Sequence, residues 1–180
     1  KQEIANEFYG VENFTFDSKT KKWKTKFNPE NYKAKNFSEE VIDEKTGKVV
    51  IKLGDKVNFF TAKKLANDGL KDILVSQEAL FGKFLHRDIK LSDEEEGGIL
   101  KIGTELNDTI IQQILEANIS SISIAITNSI NKGPYLLLTI LNDKNNTKDE
   151  AITEIYKMLR PGEPPTIEIA NQIFNNLFFS

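Results

Sequence analysis

A nine-residue pattern in this chain returns 49 positions later. Val50-Ile51-Lys52-Leu53-Gly54-Asp55-Lys56-Val57-Asn58 is matched by Ile99-Leu100-Lys101-Ile102-Gly103-Thr104-Glu105-Leu106-Asn107, with the first Lys, the Gly and the Asn kept. Apolar positions go on recurring at the same offset: Leu65 with Ile114, Leu70 with Ile119, Ile73 with Ile122, Val75 with Ile124. Self-similarity at a fixed period marks a repeated supersecondary unit. A unit of about 35 residues cannot bury enough surface alone, so two are expected to pack together.

Each unit reads in the same order. A strand ends at Gly54 or Gly103, where a turn or a close backbone approach calls for glycine. Asn58 and Asn107 suit helix N-caps, whose side chains accept a bond from an orphan amide. Helices are predicted over 59–67 and 108–116. Gly69 and Asn118 stand at their exits, the two residue types most at ease in the left-handed conformation. Strands over 71–75 and 121–126 close the units. Hairpin arms over 41–43 and 89–91 open them, with turns at Glu44-Lys45-Thr46-Gly47 and Ser92-Asp93-Glu94-Glu95-Glu96-Gly97. The expectation is a duplicated β-β-α-β module with copies at about 41–75 and 88–126.

Before the module, Ile4, Phe8 and Tyr9 suggest one face of a short helix that Gly10 stops. Residues 13–17 and 23–27 alternate apolar with polar around Asp17-Ser18-Lys19-Thr20, which predicts a hairpin. Its second half carries Lys19, Lys21, Lys22, Lys24, Lys26, Lys33 and Lys35 against Glu30 alone. Two readings fit: a patch facing phosphates, or an edge strand kept soluble by lysines. With no aromatic or Arg stacking pattern among the lysines, the second is preferred.

After the module, Tyr135-Leu136-Leu137-Leu138-Thr139-Ile140-Leu141 reads as a buried strand, ended by Asn142-Asp143-Lys144-Asn145-Asn146. Thr147-Lys148-Asp149-Glu150 is a capping box opening a helix with Ala151, Ile152, Ile155, Met158 and Leu159 on one face. Arg160 closes it at the negative end of the dipole. Pro161-Gly162-Glu163-Pro164-Pro165 makes a stiff, non-helical strap. Thr166 is placed to cap a last helix whose apolar face holds Ile169, Ala170, Ile173, Phe174, Leu177 and Phe178. The fold class is therefore α+β: a helical core with a small antiparallel sheet, interrupted by the duplicated, barrel-like module. Boundaries are expected near 37 and 127, giving segments 1–37, 38–127 and 128–180.

Composition narrows the chemistry. Among 180 residues there is no Cys, which excludes disulfide scaffolds and thiolate metal sites and agrees with a reducing compartment. A net charge of −3 argues against a free-standing nucleic-acid binder. No apolar run approaches the roughly 18–20 residues of a membrane span. His86 is alone beside Arg87 and Asp88, which favours a structural or solvated imidazole over a general base. Gly97-Gly98 lacks the ending of a phosphate loop, and Asp93, Glu94, Glu95 and Glu96 match no Ca²⁺ loop, so a solvated turn is preferred. No catalytic residue, resident cofactor or metal is expected. The chain starts at Lys1 and stops on Leu177-Phe178-Phe179-Ser180 without a polar tail. Two readings follow: an end folded onto its own core, or, preferred, a segment of a longer polypeptide.

The last third adds a resemblance. Glu154-Ile155-Tyr156-Lys157-Met158-Leu159-Arg160-Pro161-Gly162-Glu163-Pro164-Pro165-Thr166, then Asn176-Leu177-Phe178-Phe179-Ser180, resembles a segment of bacterial RNA polymerase β subunits. That family reads E-I-Y-R-x-x-R-P-G-E-P-P-T, then N-L-F-F-S, in its lobe. Gly133-Pro134-Tyr135, Thr139, Asp143, Asn146 and Ala151 fall in the same register. The duplicated middle resembles the lineage-specific insertion that proteobacterial-type β subunits carry there. Four positions depart from the family: Leu141 and Lys157 stand for Arg, Asn175 for Glu and Lys144 for Pro. The first weakens any DNA contact from 135–146.

The resemblance implies a lobe forming one wall of the DNA channel, with residues 1–37 and 128–180 as its two parts. Implied partners are the β′, α, ω and σ subunits, the rest of β, double-stranded DNA and the non-template strand. No membrane is implied, and the setting is cytoplasmic and nucleoid-associated. The catalytic Mg²⁺ would sit on β′, leaving this chain inactive by itself though part of a nucleotidyltransferase. Candidate DNA contacts are Arg160, Lys157, Lys22, Lys24 and Lys26. Arg160 has a second reading, in which it satisfies helix carbonyls or pairs with Glu163. The structural motif would be Pro161, Gly162, Glu163, Pro164, Pro165 and Thr166, with Gly54 and Gly103 at the strand ends. Two other classes stay open: a stand-alone protein- or ligand-binding module built on the repeat, and a metal-dependent hydrolase using the acidic turn.

Overall fold

Alternation along the first hairpin sets the centre of the fold. The computed structural model describes residues 1–32, 35–36, 40–92, 98–127 and 133–179. In chain order come α1 (Gln2–Phe8), β1 (Gly10–Asp17), β2 (Lys22–Lys26), β3 (Lys35–Asn36), β4 (Val41–Asp43), β5 (Val49–Ile51) and β6 (Lys56–Val57). Then follow α2 (Phe59–Asn67), β7 (Asp72–Val75), β8 (Ile89–Lys90), β9 (Ile99–Leu100), α3 (Asp108–Glu116) and β10 (Ser121–Ile126). The chain finishes with α4 (Tyr135–Asn142), α5 (Lys148–Leu159) and α6 (Ile167–Phe178).

Six strands join in one antiparallel sheet in the order β10-β1-β2-β7-β4-β5. The fold is thus α+β. Successive side chains on a strand point to opposite faces. Trp23 and Thr25 are buried on one face of β2, and Lys22, Lys24 and Lys26 take the other. Phe14 faces Thr25, and Val75 and Ile73 face Trp23 and Thr25 from β7. Ile122 and Ile124 extend this apolar face from β10, and Ala62 of α2 with Ile111 and Ile114 of α3 cover it.

Two compact units result. One is Gln2–Leu141; the other is Asn142–Ser180 with Lys1. The division between these units falls near residue 142. β1 pairs with β10 and β2 with β7, so strands on both sides of residue 37 share a sheet. For the same reason β2 is an interior strand. The edge-strand reading of its lysines is corrected, because that strand spends its amides on two neighbours.

Local signals act as their chemistry dictates. The Asp17 carboxylate accepts from the Lys19 amide at 3.0 Å and the Thr20 hydroxyl at 2.7 Å. Asp43 does the same for Lys45 at 3.1 Å and Thr46 at 2.6 Å. These are two Asp-x-Lys-Thr turns, each followed by a left-handed residue, Lys21 at φ 54° and Gly47 at φ 69°. Asn58 Oδ1 accepts from the Thr61 amide and Asn107 Oδ1 from the Ile110 amide, both at 2.9 Å. Gly69 and Asn118 leave α2 and α3 with φ of 103° and 57°. Thr147 and Glu150 form the capping box of α5, and Thr166 caps α6.

Where the partner is distant in sequence, the outcome differs. Residues 135–141, expected as a strand, lie within the helix α4. An apolar run of this length has no periodicity that separates a buried strand from a buried helix. Pro134 starts it, its carbonyl accepting from the Leu138 amide at 2.9 Å, and Leu137 and Ile140 are buried one turn apart. The expected β-β-α-β order also omitted two short strands, β3 and β6, which pair with each other. In the later stretch Phe84 bridges Glu105. In α1 the buried residue is Ala5, with Tyr9 just beyond, while Ile4 and Phe8 are exposed. In the second unit Ile152, Tyr156 and Ala170 form the core with Ile173 and Phe174 against them. Met158, Leu159, Ile169, Leu177 and Phe178, expected on inward faces, are exposed there.

Candidate nucleic-acid interface

The five cationic candidates fall in two groups. On the first unit, Lys22, Lys24 and Lys26 project from the polar face of β2. Lys24 Nζ lies 3.1 Å from Glu44 Oε1 and 3.9 Å from Asp72 Oδ2. The Glu44 hydrogen bond raises the Lys24 pKa, so this ammonium is firmly charged but locally neutralised. Lys24 and Lys26, with Asn13, Thr15 and Asp72, line an open concavity of about 490 Å³. Lys33 lies outside the described residues.

The second unit carries Lys157 and Arg160. Lys157 Nζ is 2.7 Å from Glu154 Oε1, one helical turn back. Arg160 ends α5 in a non-helical conformation, φ −132° and ψ 72°, because the following Pro161 disfavours helical geometry before it. Its amide still bonds the Tyr156 carbonyl at 2.8 Å. The strap then turns at Gly162, φ 93°, and the Glu163 amide reaches back to the Arg160 carbonyl at 3.3 Å.

Glu163 gathers this corner. Its Oε2 accepts the Tyr156 hydroxyl at 2.9 Å and Arg160 Nη1 at 3.3 Å. The Tyr156 bond, then the Arg160 bond, hold the Glu163 carboxyl below the usual carboxylate range. The same pairing pushes the Tyr156 phenol up. The tyrosine ring is buried, whereas the Arg160 and Glu163 side chains are 54% and 55% exposed. Pairing of Arg160 with Glu163, the second reading of that residue, is what the structure shows. Tyr156 as the anchor was not foreseen; no short-range spacing rule links residues seven apart across a proline turn.

Other candidates resolve as follows. Gly54 and Gly103 both adopt positive φ, 84° and 86°. His86 is fully buried in the first unit. Gln2 Nε2 donates to its carbonyl at 2.9 Å and lies 3.3 Å from its Nδ1, while its Nε2 has no hydrogen-bond partner among the described residues. Burial lowers its pKa from 6.5, and Arg87 adds to this against the opposing pull of the Ala5 and Tyr9 carbonyls. The unfolded imidazole therefore binds protons more readily, so its contribution to stability is present above pH 6.5 and lost as pH falls toward the lowered value. Thermal melts from about pH 7.5 to 5.5 are expected to show falling stability, with a flatter profile in His86→Gln; equal slopes would remove the role of His86. The acidic turn at 93–96 lies outside the described residues. Among the described residues no three His, Cys, Asp or Glu side chains gather as a metal site, and no helix is long and apolar enough to cross a membrane.

No family model matches the chain. Individual relatives do. It is 37% identical over 163 residues to the DNA-directed RNA polymerase subunit beta of Rickettsia felis, covering 89% of this chain and 12% of that protein. The Rickettsia conorii protein of the same name is 36% identical over the same share of both chains. That of Caulobacter vibrioides is 35% identical over 179 residues, covering 99% of this chain and 13% of the relative. The chain thus spans about an eighth of the length of these relatives. Identity of 35–37% over 89–99% of its residues shows that the chain belongs to the family of DNA-directed RNA polymerase β subunits.

Proposed function

We propose that this chain is the lobe of a DNA-directed RNA polymerase β subunit, forming one wall of the DNA channel. In this reading 41–75 and 88–126 are copies of one β-β-α-β module that the lobe carries as a lineage-specific insertion. The paired Asn caps and the matched left-handed glycines support the duplication. The lobe works by contact with downstream and non-template DNA and with the rest of β and the β′, α, ω and σ subunits. It supplies no catalytic group; nucleotidyl transfer and its Mg²⁺ belong to β′. The setting is the cytoplasm, at the nucleoid.

The observation that carries this reading is the 35% identity over 99% of the chain to a polymerase β subunit. Arg160 is the favoured DNA contact, half-exposed on a proline-stiffened corner. In the assembled polymerase, Arg160→Ala is expected to shorten promoter-complex lifetime by roughly tenfold, the scale of one charge-assisted contact. The melting temperature of the chain should change little. An unchanged lifetime beside a lowered melting temperature would assign Arg160 to helix capping alone.

A further inference from the structure

Arg160 makes one hydrogen bond to a carboxylate that a buried tyrosine already holds. We infer that Glu163, anchored by Tyr156, is a positioning residue that presents the Arg160 guanidinium to the DNA backbone. The inference rests on Arg160 being a DNA contact, as proposed above.

Three features lead to it. The Tyr156 ring lies in the core between α5 and α6, so its hydroxyl is a fixed point. Glu163 is tied to that point at 2.9 Å and to the Arg160 carbonyl through its amide. Arg160 reaches the same carboxylate oxygen at 3.3 Å through Nη1. A guanidinium carries five N–H donors in a rigid fork; among the described residues its side chain makes this one long bond, which orients the group and leaves other donors for a further partner.

A carboxylate beside an arginine could instead act as a competitor, cancelling charge that would otherwise attract phosphate. Magnitudes favour orientation. An ion pair this exposed contributes little and is readily given up. A long, unbranched arginine free on the surface, by contrast, loses considerable rotamer entropy on docking. Even a weak bias toward the docked rotamers removes part of that cost. The prolines at 161, 164 and 165 stiffen the segment bearing Glu163, so the orientation is transmitted from the helix core rather than from a loose loop.

The test uses assembled polymerase with substitutions in β, reading promoter-complex stability against salt. Each phosphate contact contributes about 0.9 to the slope of log affinity on log salt. Arg160→Ala should lower the slope by about that amount. Glu163→Ala should lose part of the slope and lifetime, and the double variant should be no worse than Arg160→Ala. Glu163→Gln, which keeps an acceptor for both partners, should restore most of both. Tyr156→Phe should weaken the complex in the same direction as Glu163→Ala. A longer lifetime in Glu163→Ala would show competition and overturn the inference, as would additive losses in the double variant. No effect of Arg160→Ala would instead overturn the DNA-contact reading itself.

Discussion

Gly103→Ala is expected to destabilise the chain by roughly 3–5 kcal/mol, against about 1–2 kcal/mol for Gly54→Ala. The two glycines occupy matching places in the repeat and share a left-handed conformation, with φ of 86° and 84°. Any residue with a Cβ pays for that backbone, which sets the common part of the cost. The surroundings set the rest. A Cβ on Gly54 would meet nothing within 4 Å. One on Gly103 would lie 2.5 Å from the Leu137 carbonyl oxygen and 3.2 Å from the Leu141 Cβ. Backbone cannot rotate aside as a side chain can, so α4 must shift, and with it Leu137 and Ile140 in the cluster shared with Ala5, Tyr9 and Ile102. Urea unfolding of the 180-residue chain would measure both variants. Equal losses would mean that α4 does not seat on Gly103.

That pair of glycines also marks where the amino-acid sequence stops being readable. The repeat, the Asn caps, the Asp-x-Lys-Thr turns and the capping box at Thr147 are legible because each signal and its partner lie within a few residues. The need for glycine at 103 is legible as a conformation but not as a close approach, because α4 arrives from more than thirty positions downstream. The same limit explains why residues 135–141 read as a strand. Their burial against Ile102 and Phe84 is long-range, and without it an apolar run carries no period. At the candidate interface, the Arg160–Glu163 spacing was readable, whereas the Tyr156 anchor depends on how α5 and the strap fold together. The lysines of β2 show the sharpest contrast. Their number was plain, but the carboxylates that neutralise Lys24 come from the β4–β5 turn and from β7.

The span 38–127, produced alone, is expected to show no cooperative unfolding transition, whereas 1–142 should unfold in one. That outcome would decide against a stand-alone module, which requires 38–127 to be a stable, monodisperse domain. Within the sheet, the β1–β2 hairpin lies between β10 on one side and β7 on the other. Removing residues 1–37 therefore takes out the strands that join β7 to β10 in the sheet and leaves those two strands with a newly unpaired edge each. It also takes Phe14, Trp23, Phe27 and Tyr32 out of the main core. Losing a buried aromatic such as Trp23 costs about 3–5 kcal/mol, and domain stability is typically only about 5–15 kcal/mol. Four such losses come to about 12–20 kcal/mol, enough to exhaust it before counting the exposed strand edges that favour aggregation. Circular dichroism melts and light scattering on both spans would read the difference. A sharp transition from monodisperse 38–127 would reinstate the independent module. A failure to fold would mean that the repeat is stabilised only on the hairpin that precedes it, so whatever binds the repeat also bears on the adjoining strands of the proposed lobe.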